Sequence, residues 1–323
     1  MNKKILVTGG AGYVGSHSSK KLLEYGYEPI CYDNLSTGFK KLAKFGPCEF
    51  GNLQDTDFLL QIFEKYKPFA VIHFASSAYV QESILDPFKY YYNNLGGALS
   101  LLNVMLKTKV KSIIFSSSCA TYGKTNFNVI DEHCFQLPIN PYGHSKLMIE
   151  RILLDLADNG SISQISLRYF NVAGADKDAE IGECHEPETH LIPLAIKSAL
   201  TGSILKVYGT DFPTTDGTAV RDYIHVEDLA DAHVKALEAI QNGVKSECIN
   251  IGTGKGFSIK EVITAIKELG LNVNFENVPR RKGDPPFLVA NNAKALKILN
   301  WKPKYTEIKD IIKTAIKWHV SNT

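Results

Sequence analysis

Short apolar segments alternate with helical patterns along the first half of the chain. The stretches KKILVTGG, EPICYDN, FAVIHFAS, KSIIFSSS and SISQISLRYF predict buried strands. Helical spacing is found in YVGSHSSKKLLEYGY, in DPFKYYYNNLGGALSLLNVMLKT and in a segment that starts near Pro141. Strands alternating with helices are typical of parallel βαβ units, so this half predicts an α/β fold with a doubly wound parallel sheet.

The pattern changes after about residue 175. AGADKDAEIGECHEPETH is polar and irregular, and GTDFPTTDGTAVRDYIHVEDL is so rich in Gly, Thr and Asp that it predicts loops. FSIKEVITAIKEL predicts a helix whose Ser258 and Glu261 have capping-box spacing, and a last helix is expected at about 306–320. We therefore expect a sheet domain over residues 1–175 and a smaller C-terminal α/β domain over 176–323, from which some segments can return to the first.

Composition narrows the class of protein. The 323 residues are 44% hydrophobic and 22% charged with a net charge of +2, as in an ordinary soluble globular protein. No strongly basic stripe predicts nucleic-acid binding. The apolar part of MNKKILVTGG is too short for a secretory leader, and no segment approaches the roughly 18 apolar residues of a membrane span. Six scattered cysteines without a CxxC pair favour reduced thiols and a cytoplasmic location.

A glycine-rich turn follows the first predicted strand. TGGAGYVG places Gly9, Gly12 and Gly15 at three-residue intervals where a strand passes into a helix. Such a turn lets the backbone approach a pyrophosphate at the helix N-terminus. Asp33 ends the second strand 18 residues after Gly15, where a carboxylate accepts from a ribose 2′-OH and repels the 2′-phosphate of NADP. The pattern predicts NAD binding in a Rossmann domain; the alternative is an ordinary turn with an incidental Asp.

A tyrosine and a lysine lie four residues apart in INPYGHSK. Tyr142 and Lys146 would share one face of a helix. Both side chains titrate near pH 10 when free, but an adjacent ammonium lowers the pKa of a phenol. The pair is therefore either an activated phenol or an amphipathic surface pair. Ser76 and Ser116–Ser118, at the ends of two strands, would face the same crevice.

Several motifs together resemble a known family. TGGAGYVGSH, DNL, VIHFAS, SSSCATYG and PYGHSK resemble the extended short-chain dehydrogenases/reductases. Within that superfamily, the resemblance is to the UDP-glucose 4-epimerases (UDP-galactose 4-epimerases) and their close UDP-sugar relatives. The motifs that carry it are LRYFNVAGA, DGTAVRDYIHVEDLADAH, NIGTGKGFS and RRKGDPP. The resemblance covers roughly residues 3–320. The Tyr-x-x-x-Lys pair is shared by the superfamily, whereas VRDYIHVEDLADAH and RRKGDPP are more specific.

The resemblance implies roles for individual residues. It implies that Tyr142 is the base, Lys146 its pKa-lowering partner and a ligand of the nicotinamide ribose, and Ser118 a hydrogen-bond partner of the reacting hydroxyl. For the cofactor NAD it implies contacts from Gly9, Gly12, Tyr13, Val14, Asp33, Asn34, Leu35, Asn52, Leu53, Phe74, Ala75, Ser76, Asn94, Ser116, Tyr142, Lys146 and Phe170. For a UDP-sugar it implies contacts from Ser118, Tyr142, Asn171, His190, Leu191, Lys206, Val207, Tyr208, Arg221, Tyr223, Arg281 and Asp284.

Some of these residues have simpler interpretations. Arg221 and Arg281 suit a diphosphate because guanidinium forks stay charged, but either could be a solvated loop charge. Ser118 could merely form a turn, Asn171 could cap one, and Tyr208 fits a core slightly better than a uracil stack. His185 and His190 in ECHEPETH lack a metal-ligand spacing such as HExxH, so we expect a polar loop and no metal site.

The chain departs from the family pattern at four positions. Asn52 replaces a common Asp, Ala78 replaces a lysine of some relatives, and His190 replaces a frequent Asn on the UDP side. Leu288 stands where the bulk of the side chain affects acceptance of N-acetylated sugars. These departures leave the sugar preference open, but they do not change the reaction that is expected.

The resemblance implies a UDP-glucose 4-epimerase that oxidises the sugar at C4 with NAD, rotates the 4-keto sugar and reduces its other face. A UDP-xylose/UDP-arabinose or UDP-N-acetylglucosamine 4-epimerase is the alternative. A dehydratase is disfavoured because Cys119 and Ala120, not acids, follow Ser118, and a non-catalytic NAD-binding protein is disfavoured by the intact catalytic set. The family also implies a homodimer formed by helices at 86–107 and 141–158, which could equally be core helices.

Overall fold

The computed structural model describes residues 3–125, 127–281 and 283–322, and its strands form three sheets within those ranges. The strands are β1 (Lys4–Thr8), β2 (Glu28–Asp33), β3 (Cys48–Phe50), β4 (Ala70–His73), β5 (Ser112–Ser118), β6 (Ser163–Tyr169), β7 (Asn171–Ala173), β8 (Leu205–Tyr208), β9 (Val220–His225), β10 (Ser246–Ile251), β11 (Gly256–Ser258), β12 (Phe275–Val278) and β13 (Phe287–Leu288). The helices are α1 (Tyr13–Glu24), α2 (Thr56–Tyr66), α3 (Val80–Leu85), α4 (Pro87–Tyr90), α5 (Gly97–Thr108), α6 (Pro141–Asp158), α7 (Leu191–Thr201), α8 (Val226–Gln241), α9 (Ile259–Glu268), α10 (Ala293–Leu299) and α11 (Ile308–Ser321).

The largest sheet has seven parallel strands in the order β3-β2-β1-β4-β5-β6-β10. Side chains alternate between its faces: Ile5 and Ile72 pack towards α1 and α8, whereas Leu6 and Val71 pack towards α2 and α5. Strands β2 and β3 lie on one side of β1, and the chain then crosses to add β4, β5 and β6 on the other side. The sheet therefore has a switch point beside β1. This confirms the predicted doubly wound parallel sheet.

The other sheets belong to the second half of the chain. β9 is flanked by β11 and β13 and also pairs with β7, while β8 pairs with β12. Helices α7, α9 and α11 cover a separate core that includes Ile196, Ile266 and Ile312. The capping box of α9 is present, because the Ser258 hydroxyl accepts from Glu261 N and the Glu261 carboxylate accepts from Ser258 N.

The prediction of loops over GTDFPTTDGTAVRDYIHVEDL was wrong in its second part. Val220–His225 forms β9, and α8 begins at Val226. The polar composition misled because buried Asp222 accepts hydrogen bonds from the amides of Thr253, Gly254 and Ala290 and from the Thr253 hydroxyl. A fully satisfied carboxylate is compatible with a buried strand.

One further segment differs from its pattern, and another joins the first sheet from the second half of the chain. The long helix expected over DPFKYYYNNLGGALSLLNVMLKT is interrupted by a π-helical segment, Tyr91–Gly96, between α4 and α5. Strand β10 lies in the seven-stranded sheet although it follows residue 175, so the chain returns to that sheet from the second half. The domain division at 175/176 itself stays a prediction. Within the described ranges, no helix has the length and apolar character needed to cross a membrane.

Candidate active site

A cleft of about 1060 Å³ lies at the carboxyl ends of the parallel strands. Gly9, Asp33, Phe74 and Ser118, each at or just after the end of a strand, line one side. Residues of the second half, Arg221 among them, line the other. This is the position at which open α/β sheets bind ligands.

The glycine turn allows close approach of backbone to backbone. Gly9 has φ +73°, and a Cβ there would lie 2.7 Å from Ala75 N. A Cβ at Gly15 would lie 2.1 Å from the carbonyl oxygen of Gly9, so α1 can pack against the turn only with glycine there. Gly12 is the N-cap of α1 and has no side chain to accept from the first amides of the helix. The first turn of α1 carries no acidic residue. The N-terminus of α1 is therefore suited to an anionic group.

The Asp33 carboxylate is fixed beside this turn. It accepts from Ala11 N at 3.0 Å and from Leu35 N at 2.7 Å. Burial raises the pKa of Asp33, while the backbone amides lower it. The acid at the end of β2 is thus tied to the glycine turn, as recognition of a ribose next to a pyrophosphate requires.

Tyr142, Lys146 and Ser118 meet in the middle of the cleft. Tyr142 and Lys146 lie in the first turns of α6, which Asn140 caps by accepting from Gly143 N at 2.8 Å. Lys146 Nζ lies 5.7 Å from the centre of the Tyr142 ring and donates to Ser116 O at 2.7 Å and Ser76 Oγ at 3.0 Å. The structure therefore brings the predicted catalytic set together.

The pKa values of the pair differ from the simple expectation. Burial raises the pKa of Tyr142, the Tyr169 phenol raises it further, and a hydrogen bond with Ser118 lowers it. Burial lowers the pKa of Lys146 to about 7, against the attraction of Glu150. The protein alone thus holds Tyr142 protonated, and an activated phenolate needs further positive charge in the cleft.

The opposite wall carries two arginines, Arg221 in strand β9 and Arg281 in the loop after β12. Arg221 Nη2 donates to Asp284 Oδ1 at 2.8 Å, and the Arg281 guanidinium lies 3.9 Å from the centre of the Tyr208 ring. Tyr208 thus lines the cleft rather than a core, contrary to the interpretation favoured for it. Arg221 is thus paired and largely buried, whereas Arg281 is an exposed loop residue that stacks on Tyr208.

Most of the predicted contact residues line the cleft. They are Gly9, Gly12, Tyr13, Val14, Asp33, Asn34, Leu53, Phe74, Ala75, Ser76, Ser116, Ser118, Tyr142, Lys146, Phe170, Asn171, His190, Leu191, Lys206, Tyr208, Arg221, Tyr223, Arg281 and Asp284, together with Leu288.

Four predicted contact residues, Leu35, Asn52, Asn94 and Val207, are not among the residues that line the cleft. Val207 is buried in the core of the second half, and Leu35 donates its amide to Asp33. Asn52 accepts from Asn34 Nδ2 at 2.8 Å. Buried Asn94 accepts from Ser77 N and donates to Ser77 O and Ser145 Oγ, so it links the end of β4 to α6. The side chains of Asn52 and Asn94 thus hold Asn34 and Ser77, which do line the cleft.

The loop before α7 gathers two histidines and two glutamates at the cleft. Glu183, His185, Glu188 and His190 all line it. Burial lowers the pKa of each imidazole, but the carboxylates overcome this and raise the pKa of His185 to about 9 and of His190 to about 10. The expected polar loop is therefore a compact charged cluster, although the spacing of these residues carried no such signal.

Sequence reasoning missed a buried ion pair beneath the catalytic helix. Arg168 of β6 donates to both carboxylate oxygens of Glu150 in α6, at 2.9 and 2.7 Å, and to Tyr122 OH at 2.9 Å. A charge inside the apolar strand SISQISLRYF was the signal that could have revealed it. The pair fixes α6, and with it Tyr142 and Lys146, against the sheet.

The fold and the cleft together are those of an enzyme that binds a dinucleotide on a Rossmann sheet and a second ligand under a C-terminal extension. The model of the NAD-dependent epimerase/dehydratase family matches residues 5–252, and the chain belongs to this family.

Two curated relatives and one solved structure illustrate the likeness. The UDP-glucose 4-epimerase of Rhizobium leguminosarum bv. trifolii is 46% identical over 321 residues, covering 98% of each chain. A probable UDP-arabinose 4-epimerase of Arabidopsis thaliana is 44% identical, covering 97% of this chain and 80% of its own length. The crystal structure of Brucella ovis UDP-glucose 4-epimerase in complex with NAD superimposes with a TM-score of 0.95 at 48% identity, covering 98% of each chain. The resemblance found from the motifs is confirmed.

Proposed function

We propose that this chain is a UDP-glucose 4-epimerase that interconverts UDP-galactose and UDP-glucose with NAD as a retained cofactor. The observation that carries the proposal is the position of Tyr142. It lines the same cleft as the glycine turn, Asp33 and the arginines 221 and 281. Two ligands, one held by each wall, would meet at this tyrosine.

The chain fits NAD at the first wall. Gly9 and Gly15 leave no room for a Cβ, α1 presents an uncapped N-terminus, and Asp33 disfavours a 2′-phosphate. Lys146, adjacent to Ser76 and Ser116, is the residue placed to hold the nicotinamide ribose. When bound, NAD supplies a reversible hydride acceptor at C4 of the sugar and a positive charge near the phenol.

The chemistry assigned to the chain is proton transfer and positioning. Tyr142 removes the proton of the 4-hydroxyl as hydride leaves C4, giving a 4-keto sugar, and returns a proton when hydride is restored to the other face. Added positive charge lowers the pKa that burial has raised. Ser118, which lines the cleft with Tyr142, orients the hydroxyl. Hydride and proton both return, so there is no net oxidation.

The second wall tethers the sugar while it turns. Arg221 and Arg281 offer guanidinium donors to a diphosphate, and the Tyr208 ring offers a surface to a base. Holding UDP while its sugar rotates keeps the keto intermediate at the same phenol.

A turnover assay without added NAD tests the proposal. Purified protein is given UDP-galactose, UDP-N-acetylgalactosamine or UDP-arabinopyranose separately, and products are resolved by chromatography. Conversion of UDP-galactose to UDP-glucose is the expected result. No inversion at C4 of any of the three, even with NAD supplied, would overturn the proposal in favour of a dehydratase or an NAD-binding role.

A UDP-pentose or N-acetylhexosamine epimerase is the second candidate. The Arabidopsis relative is similar to this chain at 44% identity, and Leu288, of intermediate bulk, lines the cleft. A rate on UDP-arabinopyranose or UDP-N-acetylgalactosamine above that on UDP-galactose would favour this candidate.

We further propose a homodimer in the cytoplasm. Phe88, Tyr92, Leu99, Leu106 and Met148 expose apolar surface around α5 and α6, and all six cysteines are free thiols. Light scattering should give twice the chain mass, and Leu99→Lys with Leu106→Lys should give the monomer. Leu296→Lys on α10, equally exposed, is the matched control; a monomeric wild type would refute the dimer.

A further inference from the structure

A cluster of four metal-ligand side chains lies within eight residues at the rim of the cleft. Glu183, His185, Glu188 and His190 each offer one nitrogen or oxygen atom, and these atoms lie within 4.8 Å of one another. The loop that carries them ends at His190, directly before α7. Glu183 is almost fully buried, at 4% exposure, whereas His190 is 45% exposed.

We propose that these four residues bind a divalent transition-metal ion of the zinc type. Zn²⁺ bonds to imidazole and carboxylate are about 2.0–2.2 Å long, so the ligand atoms of a tetrahedral site stand about 3.3–3.6 Å apart. His185 Nδ1 lies 3.3 Å from Glu183 Oε1 and 3.4 Å from Glu188 Oε2. His190 Nδ1 lies 2.8 Å from Glu183 Oε1 and 3.1 Å from Glu188 Oε1. The two His185 distances fall within this range, and the two shorter His190 distances would have to lengthen slightly around an ion.

Hydrogen bonds alone do not account for the cluster. Glu183 Oε1 and His185 Nδ1 are buried, and neither makes a hydrogen bond of good geometry. They lie 3.3 Å apart, and their other contacts are with His190 Nδ1 at 2.8 Å and with Glu188 Oε2 at 3.4 Å respectively. Buried polar atoms without well-directed hydrogen bonds are costly. A cation placed between them would satisfy both atoms, because each would direct a lone pair at it.

The type of donor selects the ion. Imidazole nitrogen suits zinc and its transition-metal neighbours, whereas calcium and magnesium prefer sites built from oxygen alone. Metal binding would displace the protons of the two imidazoles, and the two carboxylates would then carry a charge of −2, which one divalent cation neutralises. The four protein ligands would close the coordination sphere, as in structural zinc sites.

The surroundings show what such an ion would order. Trp318 Nε1 donates to Glu183 O at 2.9 Å, and the rings of Tyr13 and Tyr79 pack edge-on around His185. Tyr13 begins α1 at the glycine turn. The ion would therefore fasten the loop between the cofactor side of the cleft and the start of α7. A resulting effect on affinity for the UDP-sugar rests on the function proposed above.

Metal binding is tested first on the full chain without a histidine tag, after treatment with chelator and dialysis. Co²⁺ is the probe, because four-coordinate Co²⁺ absorbs strongly in the visible range, and Zn²⁺ is then added in competition. We expect one Co²⁺ per chain with a four-coordinate spectrum that Zn²⁺ abolishes. Weak six-coordinate binding, or none, in the folded wild type would overturn the proposal.

Variants then locate the site. His185→Asn and Glu183→Gln should each weaken binding by about 100-fold, while His133→Asn, in an exposed loop, should bind as the wild type does. Circular dichroism checks that each variant is folded, and binding that survives both substitutions would refute the assignment. These titrations need neither NAD nor sugar, so a failed turnover assay leaves them standing, and a failed titration leaves the epimerase proposal untouched.

Discussion

The Lys146 ammonium lies 5.7 Å from the centre of the Tyr142 ring, yet its hydrogen bonds go to Ser116 and Ser76. Lys146 can therefore influence the phenol through its charge rather than through a direct bond in this arrangement. Because the pKa of Lys146 is lowered to about 7, even this charge is partial at neutral pH. The cofactor must complete the electrostatic environment of the base.

Tyr142→Phe should reduce turnover by about 10²–10⁴-fold, because the phenol is the only group assigned to transfer the proton. Bound NAD should be retained, since the ring remains and Asp33 and the glycine turn are untouched. The rate is measured with UDP-galactose, and cofactor content after heat release. Tyr25→Phe on the surface is the control; turnover of the Tyr142→Phe variant at the wild-type rate would reject the role.

Lys146→Met should change how stability depends on pH in the cofactor-free chain. The unfolded lysine holds its proton up to about its ordinary pKa of 10.5, whereas the folded one releases it near 7. Between these values the unfolded state binds more protons, so the free energy of unfolding of the wild type rises with pH relative to the variant. The slope is at most about 1.4 kcal/mol per pH unit.

Urea unfolding of both chains at pH 7, 8 and 9 measures this difference. The penalty for burying the ammonium is complete below pH 7 and relieved as the pH rises. Parallel curves for the two chains would show that Lys146 keeps an ordinary pKa in the folded state.

The large sheet was predictable because its strands are apolar on both faces and are separated by helical patterns. Strand β9 was not, since Asp222 becomes acceptable in a buried strand only through donors from residues 253, 254 and 290. Long-range hydrogen bonds of this kind leave no local pattern. The position of β10 could not be predicted either, because it joins the sheet only by pairing with β6, which is distant in the sequence.

The site was predictable at positions where the motif requires one particular residue type. Gly9 and Asp33 occupy the positions that their motif implies, while strand alternation turns the side chain of Val207 into the core, away from the cleft. The histidines of ECHEPETH carried no spacing signal. Only the folded loop brings them against Glu183 and Glu188.

Glu150→Gln should lower the free energy of unfolding by about 3–5 kcal/mol, because it leaves the buried Arg168 charge without its partner. Thermal or urea unfolding measures the change. Glu247→Gln removes a partly exposed pair with Lys294 and should cost less than about 1 kcal/mol. Equal losses for the two variants would contradict the importance assigned to the buried pair.

Arg281→Lys should raise KM for UDP-galactose by about 10-fold and change kcat less. The planar guanidinium lies 3.9 Å from the centre of the Tyr208 ring and can present a fork to a diphosphate, whereas an ammonium does neither as well. Binding lost equally from ground state and transition state appears in KM.

The neighbouring arginine provides the matched control for Arg281. Arg280 lies over Phe212 at 5.6 Å and near the exposed Asp211, and it does not line the cleft. Arg280→Lys should therefore keep KM within about twofold of the wild type, since exposed pairs contribute little. If both variants raised KM alike, general positive charge near the cleft, rather than the stacked guanidinium of Arg281, would be holding the nucleotide.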